Sequence, residues 1–358
     1  MTSLSSPELT LAEYDYELPR DLIARYPSER RDESRLLVLL GEGTGYRHLR
    51  FSQVGELLRP GDLLVLNESR VIPARLLGRK PTGAAAEILL LRPVSSGVPG
   101  DESQDWEALV RPGSKLKPGR RVSVAPELEV EIVDSTPQGG RIVRLHTSLT
   151  VPQALERFGR VPLPPYLDRE DEAVDRERYQ TVYARVPGSV AAPTAGLHFT
   201  PELLDRIQAA GVEVARILLH VGVGTFRPVE AGTLEEHRMH PERYEIPLAA
   251  ARAVEETRER GGRVWAVGTT VVRALESAAL PGEGLRTGEG ETDLFIRPPY
   301  RFQVVDALLT NFHLPRSTLL MLVAALAGRE SVLDAYREAV AQGYRFYSYG
   351  DAMAIPGS

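Results

Sequence analysis

Residues 261–270 read Gly261-Gly-Arg-Val-Trp-Ala-Val-Gly-Thr-Thr270, and their pattern decides the fold. A segment with helical spacing of apolar residues, Leu248–Arg260, precedes the glycine pair, and a run of β type, Arg263–Val267, follows it. Gly268-Thr269-Thr270 then begins another helical segment, Val271–Ala279. Alternation of helices with apolar strands predicts crossover connections within one sheet, which is the α/β class.

The same alternation extends on both sides of this stretch. Upstream, a helix over Pro201–Ala209 leads to a strand over Val212–Leu219. These segments predict a mixed sheet with flanking helices. We expect its further elements, in chain order, at Leu18–Tyr26 (helix), Arg35–Leu40 (strand), Phe51–Leu58 (helix), Leu294–Ile296 and Phe302–Val305 (strands), Ser317–Ala327 and Val332–Val340 (helices), and Phe346–Tyr349 (strand).

Residues 62–153 differ, because short β-type runs follow one another between Gly, Pro and Ser turns. The runs are Leu63–Leu66, Val71–Leu77, Glu87–Leu91, Trp106–Val110, Arg121–Val124, Glu129–Val133 and Arg141–Leu145. Many short strands with regular turns predict a small antiparallel β-barrel. We therefore expect a discontinuous α/β domain, residues 1–61 and 154–358, into which a barrel domain of residues 62–153 is inserted.

The composition excludes several kinds of chemistry. The 358 residues include no cysteine, so disulfides, thiolate nucleophiles and cysteine metal sites are excluded, as is usual for a cytoplasmic protein. Met1–Pro19 lacks the features of a secretory signal, and the longest apolar run, Leu319–Ala327, is too short to span a bilayer. We expect a cytoplasmic protein without a membrane partner, and a monomer. A net charge of −6 argues mildly against a nucleic-acid partner, but local basic patches decide that question.

Three loops could carry polar chemistry. Gly188-Ser-Val-Ala-Ala-Pro-Thr-Ala-Gly-Leu-His-Phe-Thr200 delivers His198 to a helix N-terminus that begins at Pro201, where amides and the helix dipole suit an anionic or polar ligand. The loops His220-Val-Gly-Val-Gly-Thr225 and Gly268-Thr-Thr270 follow predicted strands and let backbone amides approach an oxyanion or a ribose. None is a nucleotide-cofactor motif, and each, taken alone, is more often a tight connection.

Histidines are concentrated in the second half of the chain. His198, His220 and His313 lie in or beside such loops and could supply a general base and a general acid, although a structural hydrogen-bonding role is the alternative for each. His237 and His240 have a spacing that could chelate a metal, but no third ligand is evident. We therefore predict no metal site.

A basic turn lies within the predicted barrel. Five basic residues and no acidic ones occur within eleven positions, at Arg111, Lys115, Lys117, Arg120 and Arg121. Such a turn could follow a phosphate backbone, and a solvated charged turn is the alternative.

Several motifs, in order along the chain, together resemble one family, the S-adenosylmethionine:tRNA ribosyltransferase-isomerases of queuosine biosynthesis. The main four are Gly188–Thr200, His220–Phe226, Ala266–Ser277 and Thr310–Pro315. The match also includes Arg31–Leu36, Gly61–Leu76, Arg178–Tyr183 and Tyr344–Met353, so it extends over nearly the whole chain. The chain departs from the family pattern at Glu68-Ser69, where Asp-Thr is expected, at Pro299, where glycine is usual, and at Tyr347, where phenylalanine is common.

The resemblance implies an α/β domain with an inserted barrel and a defined reaction. Members transfer and isomerise the ribosyl part of S-adenosylmethionine onto 7-aminomethyl-7-deazaguanine at the tRNA wobble position, giving epoxyqueuosine and releasing adenine and methionine. S-adenosylmethionine is a co-substrate, and the chemistry requires no metal or other cofactor. Two other classes stay open as alternatives: a non-catalytic RNA-binding protein with an OB-like barrel, and a metal-dependent hydrolase built on His220, His237 and His240.

On this basis we assign three sets of residues. The catalytic set is His198, His220, His313 and Glu276. The substrate-binding set is Thr194, Gly196, Thr200, Gly222, Gly224, Thr225, Gly268, Thr269, Thr270, Arg273 and Asn311. The tRNA-binding set is Arg111, Lys115, Lys117, Arg120 and Arg121.

Overall fold

The computed structural model describes residues 10–41, 45–94, 105–137, 139–222, 234, 237, 239–282 and 284–357. Its strands are β1 (Arg35–Leu39), β2 (Tyr46–Arg50), β3 (Leu63–Asn67), β4 (Ser69–Val71), β5 (Arg75–Arg79), β6 (Ala85–Pro93), β7 (Asp105–Arg111), β8 (Arg121–Ala125), β9 (Leu128–Ser135), β10 (Arg141–Thr147), β11 (Val186–Ser189), β12 (Glu213–Leu219), β13 (Glu242–Ile246), β14 (Val264–Val267), β15 (Ala279–Leu280), β16 (Gly284–Leu285), β17 (Gly288–Thr292), β18 (Ala307–Asn311) and β19 (Ala352–Ile355). Its α-helices are α1 (Val151–Phe158), α2 (Ala173–Arg178), α3 (Pro201–Ala209), α4 (Leu248–Glu259), α5 (Thr269–Ala278), α6 (Thr318–Ala327) and α7 (Arg329–Ala341).

A nine-stranded mixed sheet forms the larger part of the structure, in the order β17-β13-β12-β3-β14-β18-β19-β1-β2. Strands β12, β3, β14 and β18 run parallel to one another. Every residue of β3 is buried, because helices and loops cover both faces of the sheet. Leu63 and Val65 belong to the hydrophobic core on one face, and Leu64 and Leu66 to the core on the other. The predicted α/β fold class is confirmed.

The predicted barrel is also confirmed, with one correction. Six antiparallel strands close in the order β10-β7-β6-β5-β8-β9, and their buried side chains fill the barrel interior. The prediction that places Leu63–Leu66 in the barrel is wrong, because this run is β3 and pairs with β12 and β14 in the large sheet. The barrel strands span residues 75–147. The division into separate domains at residues 62 and 153 stays a prediction.

The stretch 188–200 joins all of the hydrophobic cores. Val190 packs into the barrel, Ala191 and Ala195 pack on the two faces of the sheet, and Leu197 packs into a fourth, smaller cluster. Little space is left, since a Cβ on Gly196 would lie 2.0 Å from Tyr183 Oη. Small residues are therefore required here by close packing.

The C-terminal strands differ from those that the sequence predicts. The structure has β17, β18 and β19 in place of strands at Leu294–Ile296, Phe302–Val305 and Phe346–Tyr349. Phe346 is fully buried and looks like a strand residue in the sequence, but Tyr347 has a φ of 73° and turns the chain. Helix α6 begins as predicted, with Ser317 Oγ accepting a hydrogen bond from Leu320 N at 3.2 Å. In the described ranges, no helix combines the length and apolar character that a bilayer crossing requires.

Candidate active site

A cleft opens where the parallel strands β14 and β18 end. Ligands of α/β sheets commonly bind at this edge, since the loops that follow parallel strands meet there. The empty space of the cleft, including its open mouth, is about 670 Å³. Six residues of the sequence-based sets line this cleft: Thr194, Gly268, Thr269, Thr270, Asn311 and His313.

The N-terminus of α5 forms one wall of the cleft. Gly268 has a φ of 91°, and its N–H donates to Leu309 O at 2.7 Å, which fastens the helix start to β18. Among the described residues, no side chain caps the helix. The N–H groups of Val271 and Val272 donate to Gly268 O, and helix geometry leaves the N–H groups of Thr269 and Thr270 without intrahelical acceptors. The hydroxyl of Thr270, a residue only 7% exposed, has no hydrogen-bond partner among the described residues. These free donors and the helix dipole favour an anionic or polar ligand group.

The side-chain amide of Asn311 has a fixed orientation. Its Nδ2 donates to His198 Nε2 and to Tyr347 O, both at 3.1 Å. Its Oδ1 is buried and has no partner within the described part of the chain. Asn311 lines the cleft, so this oxygen is a ready acceptor for an N–H or O–H group of a ligand.

His198 lies behind Asn311 and is only 4% exposed. Because Nε2 accepts from Asn311, the proton of the neutral ring is on Nδ1, which donates to Ser34 Oγ at 2.7 Å. Burial, followed by the charges of Arg345 and Arg31, lowers the pKa of His198 to about 3. The ring is thus neutral at physiological pH, and both of its nitrogens are hydrogen-bonded. This geometry favours a role in which His198 holds the side chain of Asn311 in position. Its acid–base role stays a prediction.

His313 is the predicted histidine that lines the cleft. Its Nε2 lies 2.8 Å from Thr310 Oγ1, and its backbone N–H donates to Tyr336 Oη at 3.0 Å. Burial lowers the pKa of His313 to about 3, so the ring is neutral at physiological pH.

His220 lies beside the cleft rather than in its lining. Its ring packs on Gly188, where a Cβ would come within 2.7 Å of Cε1. Burial, and then the charge of Arg243, lowers the pKa of His220. Its Nδ1 is buried without a partner among the described residues, so His220 keeps one free ring nitrogen.

Glu276 does not face the cleft. Its carboxylate accepts from the backbone N–H groups of Gln303, Val304 and Val305 at 2.8 to 3.0 Å, and from Tyr300 Oη at 3.2 Å. Seven residues after Thr269, it lies about 10 Å further along the helix axis. Glu276 is thus absent from the cleft lining, since its side chain anchors the loop before β18, and its catalytic role stays a prediction.

Four other predicted binding residues have structural contacts. Arg273 is buried in an ion pair with Glu242, whose Oε1 accepts from Gly222 N at 2.9 Å. Gly196 packs against Tyr183, and Thr200 caps α3 by accepting from Leu203 N at 3.2 Å. These four residues, Gly196, Thr200, Gly222 and Arg273, are absent from the lining of the cleft. Gly224 and Thr225 lie outside the described residues.

Two tyrosines complete the cleft and were not assigned from the sequence. The rings of Tyr166 and Tyr347 lie 4.3 Å apart, and Tyr166 Oη hydrogen-bonds Ser348 Oγ. Tyr347 has a positive φ, which is uncommon for a residue with a large side chain and is typical of functional sites. Tyr347 lies within the motif Tyr344–Met353, and this was the only sequence feature that pointed to it. The motif does not reveal the positive φ that places Tyr347 in the cleft.

The basic turn is exposed, and its charges are not equivalent. Arg121 forms ion pairs with Glu129 at 2.8 Å and Glu131 at 3.1 Å. Within the described ranges, the other four, Arg111, Lys115, Lys117 and Arg120, have no ion-pair partner. Buried Leu116 anchors the turn in the barrel core. Among the residues that the structure describes, there is no group of three or more His, Asp or Glu side chains that could hold a metal ion.

Comparison with known proteins defines the family. Residues 11–355 match the family model described as queuosine biosynthesis protein. A Thermus thermophilus protein named S-adenosylmethionine:tRNA ribosyltransferase-isomerase is 56% identical, with 96% of this chain and 99% of the relative covered. A Pelotomaculum thermopropionicum protein of the same name is 54% identical over 97% of this chain and 100% of the relative.

A solved structure agrees with these matches. The crystal structure of S-adenosylmethionine tRNA ribosyltransferase from Thermotoga maritima is 42% identical, covers 96% of this chain and 99% of its own, and has a TM-score of 0.54. The chain belongs to the queuosine biosynthesis protein family. Its relatives' shared name makes it an enzyme of the transferase–isomerase class.

Proposed function

We propose that this enzyme transfers and isomerises the ribosyl part of S-adenosylmethionine onto 7-aminomethyl-7-deazaguanine at the wobble position of tRNA. The products are epoxyqueuosine-tRNA, adenine and methionine. Family membership over nearly the full chain supports the reaction class. The observation that carries the assignment to this cleft is the pair of unpartnered buried polar atoms, Thr270 Oγ1 and Asn311 Oδ1, in its lining.

The two atoms suit different parts of S-adenosylmethionine. The Thr270 hydroxyl and the free amides of α5 fit the methionine carboxylate or a ribose hydroxyl, because both are hydrogen-bond acceptors. Asn311 Oδ1 can only accept, so it fits the exocyclic amine of adenine or the incoming aminomethyl group. The aromatic rings of Tyr166 and Tyr347 provide an apolar wall beside these polar atoms.

The acid–base chemistry fits neutral imidazole. A proton must leave the carbon beside the sulfonium, whose positive charge already makes that carbon acidic. His313 lies in the cleft lining as a neutral imidazole, and this position makes it our candidate for the group that accepts the proton. His220, with a free ring nitrogen beside the cleft, is the second candidate. We propose that no metal takes part, since the sulfonium supplies the activation.

Recognition of tRNA requires contacts outside the cleft. The exposed and unpaired basic residues Lys115, Lys117 and Arg120 suit phosphate contacts, which position a nucleic acid without reading its sequence. A tRNA substrate is also in keeping with the predicted cytoplasmic location.

Adenine release tests the proposed reaction. Purified enzyme, S-adenosylmethionine and tRNA bearing 7-aminomethyl-7-deazaguanine should give adenine on a chromatographic trace, with or without a chelator. The matched control is the same tRNA with guanine at the wobble position, which should give none. Equal release with both tRNAs, or none with either, would contradict the proposal, and loss with chelator that zinc restores would contradict metal-free chemistry.

A further inference from the structure

A second pocket lies next to the cleft. Ser348 lines both cavities, and His198, which hydrogen-bonds Asn311 in the cleft, also lines the second pocket. Its empty space is about 260 Å³, including the mouth. Its polar lining also includes Arg31, Arg178, Ser28 and Tyr349.

The two arginines of this pocket are held in place by main-chain carbonyls. Arg31 donates to Leu197 O at 3.1 Å and to Glu177 O at 2.9 Å. Arg178 donates to Glu29 O at 3.0 Å and to Ser28 O at 2.6 Å, and its buried Nε has no partner in the described structure. Among the described residues, neither arginine forms an ion pair with a carboxylate. Carbonyl groups orient these guanidinium groups, and the carboxylate of Glu177 acts on the charge of Arg31 only through space.

A third arginine adds to the positive potential of the pocket. Arg345 donates to Tyr26 O at 3.2 Å and to Tyr349 O, and its Nε has no partner among the described residues. The nearby carboxylate of Asp351 is paired with Arg35 at 3.2 Å, and its charge partly offsets the lowering of the Arg345 pKa that burial causes. Burial and then the charge of Arg178 lower the pKa of Arg31, as expected for two cations that face each other.

We propose that this arginine pocket, defined by Arg31 and Arg178 with Arg345 beside it, binds a backbone phosphate of the tRNA next to the nucleotide that is modified. Preoriented guanidinium groups with free N–H donors are well suited to phosphate oxygens. With the modified base in the cleft, Ser348 separates the base site from the phosphate site. Base and phosphate contacts then fix one nucleotide together, as is usual in nucleic-acid recognition. The choice of tRNA as the source of the phosphate rests on the proposed function.

Binding of an anticodon stem–loop RNA, measured by fluorescence without S-adenosylmethionine, tests this site. Arg31→Gln and Arg178→Gln should each weaken binding several-fold and reduce the slope of log affinity against log salt by about 0.7. Arg30→Gln is the matched control, because Arg30 is exposed and already pairs with Asp32 at 3.5 Å and Glu33 at 3.8 Å. The control should bind RNA with the wild-type affinity and slope. Pocket variants that fold and bind RNA with the wild-type slope would overturn the proposal.

Ser28→Asp decides the matter if the arginine variants do not fold. A carboxylate at this position would compensate the charge of Arg178, so the melting temperature should stay the same or rise while RNA affinity falls. Unchanged RNA affinity in a folded Ser28→Asp protein would overturn the proposal. Inorganic phosphate provides the second arm: if it stabilises the wild type but not Ser28→Asp, while RNA affinity is the same in both, the pocket takes free phosphate. These experiments measure binding and not turnover. Failure of the adenine assay would therefore contradict the proposed function, but the RNA-binding result would still test the arginine pocket.

Discussion

At the scale of single residues, hydrogen-bond partners and position in the cleft change the role that we infer for each histidine. His198 belongs to a distinctive motif, but its ring is stacked on Phe51 at 4.9 Å and bonded at both nitrogens. His313, in a less conspicuous loop, is the one in the cleft. A sequence shows which residues can exchange protons, but the partners of each ring come from distant segments, here Ser34 and Asn311.

Replacing His198 separates positioning from proton transfer. His198→Ala should reduce kcat/KM about 10-fold, because it frees the Asn311 amide and leaves buried groups unsatisfied at about 1–3 kcal/mol. A group that transfers the proton would contribute roughly 10²–10⁴-fold. The pH profile of kcat should keep its shape in this variant. A changed profile would show that His198 takes part in proton transfer. His146→Ala, on the barrel, is the control that should leave turnover unchanged.

The buried histidines also predict a pH dependence of stability. The pKa values of His198 and His313 fall from about 6.5 to about 3 on folding, so the unfolded chain binds more protons between these limits. Their contribution to stability is complete above pH 6.5 and is lost as the pH falls toward 3, at up to about 1.4 kcal/mol per pH unit for each ring. Denaturant unfolding from pH 7 to pH 4 should show this slope, and His313→Gln should make it shallower. An identical slope in the variant would contradict the assignment.

At the scale of elements, the start of α5 is the feature most directly suited to ligand binding. Thr270→Val keeps the shape of the side chain and removes an unpartnered hydroxyl, so stability should be kept or increased. Affinity for S-adenosylmethionine, measured by calorimetry, should fall about 10-fold, in line with about 1–1.5 kcal/mol for one hydrogen bond. Thr257→Val is the control, since the Thr257 hydroxyl donates to Ala253 O at 2.6 Å inside α4. The Thr257→Val variant should lose stability and keep its affinity for S-adenosylmethionine. Unchanged affinity in Thr270→Val with reduced affinity in Thr257→Val would contradict the role of α5.

The basic turn between β7 and β8 is the second element with a testable role. Charge reversal at Lys115, Lys117 and Arg120 should weaken tRNA binding and flatten its salt dependence, because up to three phosphate contacts would be lost. Arg144→Glu, at a barrel residue already paired with Asp105 at 2.6 Å, is the control and should change the slope little. If the triple variant has the wild-type salt slope, tRNA docks on another surface.

At the scale of the whole molecule, the sequence was sufficient for the class of fold but not for the membership of each strand. Leu63–Leu66 is followed by barrel strands, yet its sheet partners, such as Ala215 and Ala266, are about 150 to 200 residues away in the chain. An apolar run does not specify which distant strand it pairs with. Phe346–Tyr349 was misread for a related reason, since burial makes a turn look like a strand.

The candidate site shows the same limit. Loop position after a strand correctly brought Thr194, Gly268–Thr270, Asn311 and His313 to one cleft. Glu276 and Arg273 lie further along the same helix, and their partners, the loop 300–305 and Glu242, could not be inferred from motif order. The motifs indicate where the site lies. Whether a residue of a motif reaches the site depends on its distance along the helix and on the distant groups that its side chain binds.

A crystal structure of the enzyme with S-adenosylmethionine would show where the co-substrate binds. We predict that the co-substrate occupies the cleft at the ends of β14 and β18, within hydrogen-bond distance of Thr270 and Asn311, with His313 nearest the carbon beside the sulfonium. S-adenosylmethionine bound elsewhere, or bound here without contact to Thr270 and Asn311, would contradict the account.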